Sequence, residues 1–164
     1  MFIEKLNKTL MTVSAFWAFL LAVIITADVV GRGVFDAPLT GTLEIITNSI
    51  VVIAFLQIAF AVGTKSMLRA DFVVHLLPAG LQRALAVMGH LLGAAIFALL
   101  AYAVVEPMLG ALASGEYEGE GALRVPTWPI YAVICLGAGL AAVNYLRLAL
   151  NDLRDNNETE VRDA

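Results

Sequence analysis

The sequence has little charge, and the charge it has is unevenly distributed. Only 15% of its 164 residues are charged and 60% are apolar, with a mean hydropathy of +0.86. A soluble domain usually carries about 25% charged residues. The net charge of −4 includes no basic stripe that could neutralise a phosphate backbone, so the composition excludes nucleic acid as a partner.

Cysteine is almost absent. The single cysteine, Cys135, lies inside an apolar stretch. One thiol can form neither a disulfide framework nor a Cys-x-x-Cys redox pair, so both are excluded.

Four long windows of the chain carry no charge at all. They cover residues 9–27, 45–64, 84–105 and 125–146. About 20 apolar residues in a helix span the hydrocarbon core of a bilayer, and a helix satisfies its own backbone hydrogen bonds there. None of the windows alternates as a barrel strand does. The sequence therefore predicts an all-α integral membrane protein with four transmembrane helices.

The expected organisation is one four-helix transmembrane domain over residues 1–150. The predicted spans are about 9–30, 43–64, 84–106 and 126–148. Residues 151–164 are polar and are predicted to form a disordered cytoplasmic tail. The first span is longer than the apolar region of a signal peptide and lacks a small-residue cleavage site, so we interpret it as retained.

A short helical segment is also expected between spans 2 and 3, lying along the membrane interface. Phe72, Val73, Leu76 and Leu77 recur there at helical spacing, before Pro78 turns the chain.

The basic residues predict the orientation, because cytoplasmic loops are rich in lysine and arginine. With both termini in the cytoplasm, eight basic residues lie inside and two, Arg32 and Arg124, lie outside. The expected location is a bacterial inner membrane. The inside set is Lys5, Lys8, Lys65, Arg69, Arg83, Arg147, Arg154 and Arg162.

Charged residues at the outer ends of the spans form the first candidate site. Asp28 and Arg32 are four residues apart on one helix face, where they could form a salt bridge that fixes the depth of the span or contact a partner subunit. Thr42 is a plausible N-cap for span 2, with Glu44 in the first turn. The predicted outer charge cluster, or subunit interface, comprises Asp28, Arg32, Glu44, Glu106 and Arg124.

Other residues are candidates for anchoring and packing. Trp128, Lys65 and Arg69 are predicted interfacial anchors. Small residues allow close approach of helices in membranes. The predicted packing glycines are Gly89, Gly93, Gly137 and Gly139. Pro107 is expected to kink or fray the outer end of span 3.

Neither a catalytic site nor a metal or cofactor site is predicted. Haem between helices usually needs two intramembrane histidines, and His90 is the one histidine within a span, where we expect it to be packed or hydrogen-bonded. No inverted repeat or midplane charge indicates a transport site. A membrane anchor of a redox complex and a stand-alone multidrug exporter remain alternatives, although Glu44 and Glu106 lie at span ends rather than within the membrane.

Three stretches of the chain resemble the small membrane subunit of tripartite ATP-independent periplasmic (TRAP) transporters, the DctQ-like family. They run from Asp28 through Glu44, from Arg69 to Pro78, and from Leu123 to Pro129. Length, four spans and cytoplasmic termini agree with that family, whereas the basic cluster after span 2 is thin.

The resemblance implies a division of labour. A periplasmic solute-binding receptor would deliver an organic acid to a large membrane subunit, which holds the substrate and sodium sites. The small subunit would associate with the large one and widen its static scaffold in the lipid bilayer. It would be a subunit without catalytic activity or cofactor, and the sequence does not identify the substrate.

Overall fold

A computed structural model of the chain describes residues 2–35, 41–64, 77–118 and 124–162. Four long helices account for most of this, and one pair of two-residue strands accompanies them. The elements are α1 (Phe2–Phe35), α2 (Thr42–Gly63), α3 (Ala79–Ser114), β1 (Tyr117–Glu118), β2 (Val125–Pro126) and α4 (Trp128–Arg162).

All four helices are long and apolar enough to cross a membrane, which confirms the predicted fold class. The helices extend further than the charge-free windows. α1 has 34 residues and is therefore about 51 Å long, against a hydrocarbon core of about 30 Å. Charged residues end a hydrophobic window without ending a helix, because glutamate, lysine and arginine are good helix formers.

Two helix ends differ from the expectations. α4 continues as a helix through Arg162, across most of the segment that composition predicted to be disordered. α3 continues for a further two turns beyond Pro107 to Ser114, so the span does not end at the proline. A proline costs one backbone hydrogen bond, and membrane helices tolerate that loss.

The predicted interfacial segment between spans 2 and 3 lies almost wholly outside the described residues, and so do the anchors Lys65 and Arg69. Trp128 is the first residue of α4 and is 43% exposed. Its role as an interfacial anchor stays a prediction.

The helices pack in the order α1, α2, α4, α3. α4 lies between α2 and α3, and 33% of its spanning window is buried, against 6% for α3. A small core where α2 meets α4 consists of Val62, Ala141 and Leu148, with Phe97 and Tyr145 packed against it. α3 therefore covers one side of α4 and leaves most of its own apolar surface uncovered.

The four predicted packing glycines divide into two pairs. A Cβ at Gly137 would overlap the backbone carbonyl of Phe55 on α2, and one at Gly93 would lie 2.9 Å from the Tyr145 ring on α4. A Cβ at Gly89 or at Gly139 would meet no atom of the described residues within 4 Å. Gly93 and Gly137 thus allow close approach within the bundle, whereas Gly89 and Gly139 face open space.

Candidate functional site

One end of the bundle, the hairpin end, holds the end of α1, the start of α2 and the β1–β2 pair. Asp28 lies there, about two turns before α1 ends, and is only 6% exposed. Arg32 follows one helical turn later, and its Nε and Nη2 donate to Asp28 Oδ2 at 3.0 and 2.7 Å. The geometry confirms that these two residues form an ion pair.

The same carboxylate also connects α1 to α2. The hydroxyl of Thr42 donates to the other oxygen of Asp28, Oδ1, over 3.3 Å, and Thr42 is itself only 3% exposed. The prediction that Thr42 is the N-cap of α2 is therefore wrong. Gly41 occupies that position with φ of 86°, a left-handed conformation that glycine adopts without strain, and Thr42 is the first helical residue. Glu44 does lie in the first turn of α2.

Arg124 contacts a tyrosine rather than a carboxylate of the predicted outer charge cluster. Its Nη1 donates to the hydroxyl of Tyr117 at 2.9 Å, and its guanidinium lies 4.6 Å from the centre of the same ring. The antiparallel pairing of β1 with β2 brings the two residues together. Among the described residues, neither Glu44 nor Glu106 forms an ion pair with Arg124 or Arg32. The structure joins Asp28 and Arg32 of the predicted cluster and places Arg124 in a separate contact.

A second polar pair joins α3 to α4 in the other half of the bundle. His90 is 4% exposed, and its Nδ1 lies 2.9 Å from Asp152 Oδ2. The ring also approaches Tyr145, with 6.2 Å between ring centres. The hydrogen-bonded interpretation of His90 is confirmed. The sequence did not reveal Asp152 as the partner of His90, because Asp152 lies in the segment predicted to be disordered. Predicting this contact would have required knowing that α4 continues beyond residue 150.

A third polar contact joins α2 to α4. The side-chain amide of Asn144, which is 3% exposed, donates to the backbone carbonyl of Ala59 at 2.7 Å. Hydrogen bonds of this kind hold membrane helices together where lipid offers no hydrophobic driving force. Asn144 was not predicted as a site residue. The signal that could have identified it is a polar side chain within the apolar window 125–146, one turn before Arg147.

These contacts suit helix packing rather than chemistry. The contacts of Asp28, His90 and Asn144 each connect one helix to a neighbour or neutralise a charge near a helix end, and Arg124 contacts Tyr117 outside the helices. The four charge-free windows contain no aspartate, glutamate, lysine or arginine, and the Nδ1 of His90, the one histidine within them, already has Asp152 as its partner. The arrangement can hold helices at fixed depth and spacing.

The sequence model of the DctQ component of tripartite ATP-independent periplasmic transporters matches residues 21–155, well over half of the chain. No curated protein matches the chain. The matched region contains the Asp28–Arg32 pair, both internal packing glycines and most of the four membrane helices described above. Taken with that architecture, the match shows that this multi-pass membrane protein belongs to the DctQ family, the small membrane component of TRAP transporters.

Proposed function

We propose that this chain supports a large TRAP membrane subunit during sodium-driven uptake of an organic acid, delivered by a periplasmic solute-binding receptor. The chain itself carries no substrate in this proposal. It lies in a bacterial inner membrane with both termini in the cytoplasm, an orientation supported by the eight-to-two distribution of basic residues.

The observation that carries the proposal is the uncovered side of α3. Only 6% of its spanning window is buried, and large apolar side chains such as Met88, Leu92 and Leu99 are more than 60% exposed. Gly89 follows Met88 and is exposed, with no atom of the described residues within 4 Å of where its Cβ would be. A small residue beside an apolar face lets a second helix approach closely. This face fits a large membrane-embedded partner.

The lack of charge in the spanning windows supports the division of labour. A membrane transport site usually uses broken helices or intramembrane ionisable groups. α1, α2, α3 and α4 each run unbroken across their windows. Substrate and sodium binding are therefore assigned to the partner subunit.

The test is co-expression of the tagged chain with the large TRAP subunit, followed by purification in a mild detergent. Gly89→Leu should reduce the amount of large subunit recovered by at least fivefold while leaving the yield and thermal stability of the small chain unchanged. Met88→Leu changes the neighbouring exposed side chain at nearly constant volume and serves as the control. Full recovery with Gly89→Leu would place the partner on another face. Failure of the unmodified chain to recover any large subunit would contradict the proposal.

A further inference from the structure

The end of the bundle opposite the hairpin end, the terminal end, contains a cavity that the scaffold role does not use. It has a volume of about 290 Å³ and lies where the start of α1, the end of α2 and α4 meet. One water occupies about 30 Å³ in the liquid, so the cavity could hold a polar group of several non-hydrogen atoms. We call it the amide cavity. Its polar lining includes Asn7, Lys8, Thr64, Asn144, Arg147 and Asn151.

Each helix presents one face to the amide cavity. On α4, Asn144, Arg147 and Asn151 follow one another at spacings of three and four residues, which places them on the same side of the helix. Asn7 and Lys8 come from α1, one turn after Glu4, which also lines the cavity. The lining is thus produced by the regular packing of three helices.

Gly63, at the end of α2, keeps the cavity open. A Cβ there would lie 3.0 Å from the Asn7 amide nitrogen and 3.3 Å from that of Asn144. Glycine therefore leaves two buried amide groups bordering a space that any larger residue would begin to fill.

An unsatisfied polar atom of Asn7 independently indicates that the cavity binds a ligand. The residue is only 4% exposed, and its side-chain oxygen has no hydrogen-bond partner among the described residues. Leaving such a buried acceptor unsatisfied costs about 1–3 kcal/mol, so native proteins rarely do so. Because this oxygen is itself shielded from solvent, a ligand can donate to it only after the Asn7 amide turns toward the cavity, and that hydrogen bond would remove the deficit.

Charge and depth indicate the kind of ligand. Lys8 and Arg147 are exposed and form no ion pair with a described residue. Together with Glu4 they give the described part of the lining a net charge of about +1. Asn7 lies 21 residues before Asp28, or about 31 Å along α1, which is the thickness of the hydrocarbon core. The amide cavity therefore lies at the membrane boundary opposite Asp28, at the level of lipid headgroups.

An apolar side of the cavity completes the match. Phe60 and Leu148 line it next to the polar groups, and Leu148 is one of the buried core residues. A phospholipid presents the same combination, because its phosphate and headgroup adjoin an acyl chain. Basic pockets between membrane helices are known to bind anionic lipid headgroups.

We propose that the amide cavity binds the headgroup of an anionic glycerophospholipid of the phosphatidylglycerol type. The phosphate contacts Lys8 and Arg147, and a hydroxyl of the headgroup donates to the side-chain oxygen of Asn7. One negative charge matches the net charge of the lining, and a hydroxyl supplies the donor that a phosphate alone lacks. In the orientation proposed above, this lipid belongs to the cytoplasmic leaflet.

The test is native mass spectrometry of the full-length, delipidated protein titrated with single phospholipids. Phosphatidylglycerol should bind at least fivefold more tightly than phosphatidylethanolamine or phosphatidylcholine. Arg147→Gln should weaken binding about fivefold, and Lys8→Gln combined with Arg147→Gln about 25-fold, since each basic group near an anionic lipid contributes about that factor. Gly63→Ala, which reduces the space beside Asn7 and Asn144, should also weaken it.

The matched control is Arg154→Gln, which removes an exposed arginine from α4 two turns beyond Arg147 and outside the cavity. It should leave binding unchanged. An equal loss with Arg154→Gln would show unspecific attraction between charges and overturn the proposal. Equal affinity for phosphatidylethanolamine would overturn the anionic headgroup, and binding of soluble glycerol phosphate as tight as that of the lipid would replace the lipid by a free phosphate ester.

Discussion

The hydroxyl of Thr42 reaches across the turn between α1 and α2 and donates to Oδ1 of Asp28, the carboxylate whose other oxygen accepts from Arg32. Thr42 and Asp28 are 3% and 6% exposed, so this contact is shielded from solvent. It fixes the first residue of α2 against α1. A carboxylate that accepts from two residues is also held in one orientation.

Replacing Thr42 by valine tests that contact. Thr42→Val keeps the shape of the side chain and removes the donor, so we expect a loss of about 1 kcal/mol in stability, because the 3.3 Å distance is long for such a bond. Thermal unfolding in mild detergent provides the measurement. Thr47→Val is the control, since among the described residues the exposed hydroxyl of Thr47 bonds only to the carbonyl of Leu43 in its own helix. Equal losses of stability in the two variants would show that the hydrogen bond from Thr42 to Asp28 contributes no more than one within a single helix.

The arginines at the hairpin end should affect assembly or uptake without changing substrate choice. The Arg32 side chain is 61% exposed, so its ion pair contributes about 0–1 kcal/mol and Arg32→Ala should be mild for the isolated chain. We expect Arg32→Ala and Arg124→Ala to lower complex yield or uptake by the whole system in vesicles, with Arg32→Lys milder. Competition by unlabelled organic acids should be unchanged. An altered preference with normal assembly would place these residues at the transport site.

The glycines provide a graded test of helix packing. Gly137→Ala should destabilise the protein by about 2 kcal/mol or more, because the new Cβ would meet the backbone of Phe55, which cannot rotate away. Gly93→Ala should cost less, since the Tyr145 ring can shift. Gly139→Ala meets no atom and should be neutral or slightly stabilising, because alanine favours a helix more than glycine does. Thermal unfolding of the three variants side by side would reveal the order, and a neutral Gly137→Ala would contradict the packing of α2 against α4.

The orientation can be tested with single cysteines in a Cys135→Ala background. Ser114, at the exposed end of α3, should react from the periplasmic side as Ser114→Cys with a reagent that does not cross membranes. Asn157→Cys should react only after the membrane is opened. The reverse pattern would invert the topology, and the lipid of the amide cavity would then belong to the outer leaflet.

The number and type of the helices could be predicted from the sequence, because crossing a bilayer requires long apolar windows and those windows are free of charge. The Asp28–Arg32 pair could also be predicted, since both residues lie on one helix and i, i+4 spacing determines their distance. Contacts within a single helix need no knowledge of the fold.

Contacts between helices could not be predicted in the same way. Glycine pairs at Gly89/Gly93 and Gly137/Gly139 look alike in sequence, yet one glycine of each pair contacts a neighbouring helix and the other faces open space. Which one does so depends on the rotation of each helix. Arg124 likewise contacts Tyr117 because two short strands pair, a local feature with no apolar pattern to reveal it.

The central claim, that this chain supports transport and does not carry it out, is tested most directly by reconstitution in liposomes. The chain alone, the large subunit alone, and both together would each be supplied with the periplasmic receptor, a labelled organic acid and an inward sodium gradient. We expect uptake only when both membrane subunits and the receptor are present, and none with this chain alone. Sodium-dependent or proton-dependent uptake by this chain without the large subunit would contradict the account.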